Sequence, residues 1–114
     1  MVIAFLESRV GAEVGTTVPK PRPPLFLRAW RNGGPAANRV VDRPLVTLEA
    51  WSEDSTVAAD LLSAARSALM NDYTAMPLVR GVREISGPYF TPDPESGTPR
   101  YRCSLQLTVR ATRA

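Results

Sequence analysis

The sequence predicts an α+β domain: a mostly antiparallel sheet of about four or five strands, with one long helix and one short helix packed on one face. Three observations carry this reading. Val57, Leu61, Ala65 and Leu69 recur every four residues, and Ala58, Leu62 and Ala68 widen the stripe, which is the pattern of a one-sided helix. Tyr101, Cys103, Leu105, Leu107 and Val109 alternate with Arg100, Arg102, Ser104, Gln106, Thr108 and Arg110, a period of two that buries one face of a strand. The 11 prolines and 7 glycines fall mostly in clusters between such segments, where they punctuate the chain.

Taken in order, Val2 to Val10 spaces Ile3, Phe5, Leu6 and Val10 as a short helix with Glu7 and Arg9 outward, ended by Gly11. Val14 to Val18 reads as a short strand cut off by Pro19. Pro19, Pro21, Pro23 and Pro24 then favour an extended polyproline connector through Lys20 and Arg22. Leu25 to Arg31 alternates, with Leu25, Leu27 and Ala29 on one face and Phe26, Arg28 and Trp30 on the other, as a strand with one wetter side. Asn32 to Arg43, with Gly33, Gly34 and Pro35, reads as a long loop. Leu45 to Ser52 alternates again, with Val46, Leu48 and Ala50 toward the core and Leu45, Thr47, Glu49 and Trp51 on the other side. Trp51 is thereby expected outside the monomer's core, unless its ring folds over the start of the long helix. That helix begins at Asp54 or Ser55 and runs to about Met70. Val79 to Ser86 is a strand disturbed by Gly81, Gly87 to Pro99 is expected to be irregular, and the last two strands form a hairpin with an extended tip.

A chain of 114 residues fits a single domain spanning residues 1–114. Histidine is absent and Cys103 is the only cysteine, which removes the commonest general base, the commonest zinc ligand and any intramolecular disulfide. Cys103 sits at a core-facing strand position and is expected to behave as a small hydrophobe. The longest apolar run is far below the roughly 20 residues of a membrane span, and the first residues lack a secretory pattern, so a soluble protein of a reducing cytosol is expected. Net charge is +3 from 14 basic and 11 acidic residues, and Lys20 is the only lysine. The basic residues are spread from Arg9 to Arg113 rather than gathered on one element, which argues against a dedicated DNA reader.

Motifs for chemistry are sparse. Gly33 and Gly34 lead into Pro35 without the spacing or the Lys-Ser/Thr ending of a phosphate loop, so turn formation explains them. Asp93 and Glu95 lie two apart in a proline-rich segment with no supporting base. No catalytic, cofactor-binding or metal-binding residues are expected, and the chain reads as a non-enzyme. The Pro19 to Pro24 run has PxxP-compatible spacing and a cation at Arg22, which keeps an adaptor reading open.

One further pattern concerns the order of short motifs. A strand from Phe26 runs into Arg31-Asn32-Gly33-Gly34-Pro35, then Asn38 and Asp42-Arg43-Pro44. Leu48-Glu49-Ala50-Trp51 precedes the alanine-rich helix, and Val79-Arg80-Gly81-Val82 follows it. Gly87-Pro88, Pro92-Asp93-Pro94 and Gly97-Thr98-Pro99-Arg100-Tyr101 then lead into the closing strand. This order, over nearly the whole chain, resembles the tail terminator (tail completion) proteins of siphovirus-type bacteriophages, particularly those infecting actinobacteria. The amino-terminal helix, barely two turns, departs from that pattern. The resemblance implies a structural virion protein that forms a hexameric ring at the head-proximal end of the tail, after assembly in the host cytoplasm. It implies that the ring stops tube polymerisation and joins the tube protein to the head-completion proteins, with no catalytic residue to carry over. The rival reading is another head-to-tail connector or a minor tail or baseplate protein.

A ring needs heterologous contacts, one patch of each subunit meeting a different patch of the next. The expected subunit or tube interface comprises Arg28, Trp30, Arg31, Asn32, Gly33, Gly34, Asn38, Arg39, Trp51, Pro92, Asp93 and Pro94. Arg100, Arg102 and Arg110 on the wet side of the last strand are a possible DNA-facing set, limited to non-specific phosphate contact.

Overall fold

A computed structural model describes residues 2–34 and 41–110. The elements are α1 (Val2–Arg9), β1 (Glu13–Gly15), β2 (Leu25–Arg31), β3 (Val41–Asp42), β4 (Leu45–Ser52), α2 (Ser55–Asp72), β5 (Val79–Phe90) and β6 (Arg100–Arg110), with a 3₁₀ turn over Tyr73–Ala75 after α2. The class is the expected one, an α+β fold with a mostly antiparallel sheet, but the described residues form six strands rather than four or five.

The strands lie side by side as β1, β2, β4, β6 and β5, and β3 continues the line of β4 beyond Pro44 along the same side of β6. Every pairing is antiparallel except β1 with β2. The inner face carries Leu27, Ala29, Val46, Leu48, Ala50, Cys103, Leu105 and Leu107, all buried beneath α2 and α1. From α2 come Ala58, Leu61, Leu62, Ala65, Ala68 and Leu69, and from α1 Phe5 and Leu6. The alanines let the α2 backbone lie close to the sheet, which a stripe of larger residues would prevent. Asp54 caps α2, its carboxylate accepting from Thr56 N at 2.9 Å and Val57 N at 3.4 Å. Among the described residues no helix is long and apolar enough to cross a membrane.

Four expectations are corrected. The first strand is Glu13–Gly15, shorter than Val14 to Val18, because the Thr16 carbonyl accepts from the Arg28 side chain at 2.9 Å instead of continuing a ladder. The Asn32 to Arg43 stretch contains the two-residue strand β3, too short for any periodicity to show. Gly87 to Pro99 is not wholly irregular, since β5 runs on through Gly87 and Pro88 to Phe90. Register shifts around Ser86 lift that part of the strand off a regular ladder, and β5 is an edge strand, so the missing proline N–H leaves no neighbour unpaired. The outer sheet face is not uniformly wet, for Phe26, Thr47, Glu49 and Trp51 are all buried. The disturbance at Gly81 is present as a register shift between Val79 and Gly81.

Candidate functional site

The outer face follows from strand register. Arg28 of β2 pairs with Glu49 of β4, Glu49 with Arg102 of β6, and Arg102 with Tyr89 of β5, so one cross-strand row reads Arg, Glu, Arg, Tyr. The next row aligns Phe26, Trp51 and Arg100, and the row on the other side aligns Trp30, Thr47 and Ser104. Alternation sends all of these side chains to the same face.

Glu49 is the centre of this surface and has no solvent exposure. Its Oε2 accepts from Arg102 Nε at 3.0 Å and from Arg102 Nη2, while Oε1 accepts from Trp51 Nε1 at 2.8 Å. Arg100 Nη1 lies 3.7 Å and Arg28 Nη1 4.0 Å from the same carboxylate. One buried negative charge is thus ringed by three guanidiniums, which satisfies the requirement that a buried charge be paired and hydrogen-bonded. Burial opposes the charge of Arg102, but its hydrogen bond and attraction to Glu49, with help from Tyr89, raise its pKa above the ordinary arginine value. The guanidiniums also stack on the indoles: Arg28 lies 3.8 Å from the Trp30 ring centre, and Arg22 and Arg100 lie 5.7 and 5.0 Å from that of Trp51. What solvent meets is therefore a plate of guanidinium and indole edges over a locked carboxylate. Trp and Arg are the residues most enriched at protein–protein hot spots.

Two turns flank this plate at opposite ends. At one end, Arg31 donates from Nε to the Gly33 carbonyl and from Nη2 to the Gly34 carbonyl, both at 3.1 Å, and grips Asp42 with Nη1 and Nη2 at 2.7 and 3.0 Å. Gly34 has φ of +99°, and a Cβ there would press against the Arg43 carbonyl and lie 2.6 Å from Leu45 N. Only glycine fits. At the other end, Asp93 accepts from Ser96 Oγ at 2.6 Å and Ser96 N at 3.2 Å, and the Gly97 N–H closes the turn onto the Asp93 carbonyl at 2.8 Å. The Ser96 hydroxyl leads the contacts that hold the Asp93 carboxyl below its usual value, with Arg100 adding a smaller charge effect. The Pro19 to Pro24 segment, whose Lys20–Pro21 bond is cis, lies beside this tip, and Arg22 pairs with Glu53 at 2.8 Å.

Several expected site residues therefore have other roles. Arg28, Trp30 and Trp51 do share the outer face, and Trp51 lies outside the core cluster under the helices as expected but is buried beneath arginine side chains. Arg31 is occupied by the glycine turn and Asp42. Asn32, Gly33 and Gly34 are exposed at that turn, and Pro92 and Pro94 lie at the hairpin tip, where Asp93 is half-buried and turn-forming. Asn38 and Arg39 lie outside the described residues. Of the suggested DNA-facing set, Arg100 and Arg102 are consumed by Glu49, because register places both beside the one buried carboxylate, and only Arg110 stands exposed. Cys103 is buried and its thiol is pushed up to about 12, chiefly by that burial. Sequence reasoning placed Glu49 on the outer face without a role. The available signal was its shared parity with Trp51 and the arginines of the neighbouring strands, which becomes meaningful only once the register is known. Among the described residues no group of acidic, cysteine or histidine side chains is placed to hold a metal ion.

What the fold and this surface define is a small single-sheet α+β protein with a charge-locked Arg–Trp plate and, among the described residues, a long sheet edge at β5 without a further strand. Compared with protein-family models and with curated protein sequences, the chain matches none.

Proposed function

We propose that this chain is a structural subunit of a bacteriophage tail, forming a ring that caps the head-proximal end of the tail tube, stops tube growth and joins the tail to the head-completion proteins. The observation that carries the reading is the presence of two unlike adhesive surfaces on one sheet. The Arg–Trp plate is one. The other is the β5 edge, which pairs only with β6 among the described residues and exposes Ile85, Tyr89 and Phe90. An unpaired strand edge that carries exposed apolar side chains invites another chain. Two different patches meeting head to tail are what a closed ring of identical copies uses.

The scattered motifs behind the sequence resemblance support the same reading, since they act as units. Arg31, Gly33, Gly34 and Asp42 form one clamp, Glu49 and Trp51 join Arg100 and Arg102, and Asp93, Ser96 and Thr98 build one tip. Light scattering and negative-stain imaging of the purified protein test the proposal. Six-fold rings are expected, and Ile85→Glu combined with Phe90→Glu is expected to return the mass to that of one chain. A wild-type protein that stays monomeric at every concentration, alone and with tube protein, would overturn it.

A further inference from the structure

Ion pairing sorts the arginines into two populations. Arg9, Arg22, Arg28, Arg31, Arg66, Arg100 and Arg102 each have a carboxylate within 4.0 Å. Arg43, Arg80, Arg83 and Arg110 are exposed and have no acidic partner among the described residues. Register brings these four to one end of the sheet: Arg83 stands opposite Gln106, Arg110 opposite Val41, Arg80 sits in the register shift beside Val79, and Arg43 joins β3 to β4. The carboxylates next to Arg43 and Arg83 in the chain, Asp42 and Glu84, are taken by Arg31 and Arg66. A charge that looks diffuse along the sequence is therefore concentrated in the fold.

We propose that this end of the sheet is a contact surface for the phosphate backbone of duplex nucleic acid, read without regard to sequence. Between Arg43 and Arg83 lies an open hollow of about 430 Å³, lined also by Gly81, Gln106, Thr108 and a single apolar side chain, Val82. Gln106 steadies both sides, accepting from Arg83 Nη2 at 3.0 Å and donating to the Arg43 carbonyl at 3.4 Å. A Cβ on Gly81 would meet nothing within 4 Å, so that wall is low and open. Guanidinium forks match phosphate oxygens in geometry and charge. Protein-binding patches are built around an apolar core, yet the exposed large apolar residues Val57, Ile85, Tyr89 and Phe90 are all absent from the lining of this hollow. Single-strand binders stack bases on aromatic rings, and no aromatic ring lines it. Positive, with Val82 as its one apolar lining residue and no stacking ring, the surface fits a duplex backbone best.

The inference is independent of ring assembly, since the patch belongs to each single chain. Its test is fluorescence anisotropy of the full chain with a labelled random-sequence duplex across a salt range of about 50–200 mM NaCl. With four phosphate contacts, the logarithm of affinity falls with a slope of roughly −3.6 against the logarithm of salt, a loss of about a hundredfold over that range. Arg43→Ala, Arg80→Ala, Arg83→Ala and Arg110→Ala should each flatten the slope by about 0.9, whereas Lys20→Ala, outside this end of the sheet, should leave it unchanged. Absence of binding at the lowest salt, equal flattening by Lys20→Ala, or competition by polyglutamate as effective as by unlabelled duplex would each overturn the proposal. Rings that form normally while DNA fails to bind would leave the tail reading standing and remove this one alone.

Discussion

Replacing Glu49 with glutamine removes one negative charge and almost no volume, which isolates the electrostatics of the outer face. The substituted amide would still accept from Trp51 Nε1 through its carbonyl oxygen, but its other terminal atom would become an NH₂ facing the Arg102 guanidinium, donor against donor. Arg28, Arg100 and Arg102 would then share a half-buried surface without their common counter-charge. Breaking a buried pair from one side costs about 3–5 kcal/mol. The arginines left behind have side chains 32, 14 and 29% exposed, so partial resolvation places the loss near the lower end, about 3 kcal/mol. That is a large share of the roughly 5–15 kcal/mol that holds an ordinary domain folded. Urea denaturation at fixed protein concentration reads it directly, and urea leaves charges unscreened where guanidinium would not. A double-mutant cycle with Arg102→Gln should return a coupling above about 1 kcal/mol. A Glu49→Gln loss under about 0.5 kcal/mol, the range of an ordinary surface change, would refute the buried cluster.

Other consequences are equally specific. Gly34→Ala should destabilise by about 1–3 kcal/mol through backbone conformation and collision with the Arg43–Leu45 backbone, and clearly more than Gly33→Ala, whose added Cβ meets nothing within 4 Å. Asp54→Ala should cost about 1 kcal/mol in the same assay by uncapping α2. The folded carboxyls of Asp93 and Glu84 sit below their ordinary 3.8 and 4.5, so their contribution to stability is complete above those values and is lost as pH falls through the folded ones. Denaturation followed from about pH 6 down to about pH 2 should therefore show a smaller acid loss for Asp93→Asn than for wild type, and an unchanged profile would contradict the Ser96 contact. The Cys103 thiol should resist a thiol reagent at about pH 8 in the native protein and react once the chain is unfolded in urea.

The elements legible in the sequence were those whose burial is one-sided over many residues. Leu61 to Leu69 and Cys103 to Leu107 each show a single clean period because each packs against one layer only. β5 was legible at its start and not at its end, because Gly87 and Pro88 read as loop punctuation, whereas an edge strand with register shifts tolerates both. β3 escaped because two residues carry no period. The outer face was half legible: parity grouped Arg28 with Trp30 on one strand and Glu49 with Trp51 on another, but showed neither the register that joins the two pairs nor their burial. That burial comes from arginine stems and indoles covering one another, and Glu49 meets Arg102 across 53 residues of sequence, a distance no local pattern spans. The same long-range pairing hid the basic end of the sheet, since which arginines are free depends on which ones are matched.

The claim on which the functional account turns is that copies of this chain close a ring that halts tube growth. The most direct measurement is the tail-length distribution, by electron microscopy, of phage particles assembled without this chain. Tails of broad and excessive length that fail to join heads are expected. Tails of the normal uniform length, joined to heads, would contradict the account.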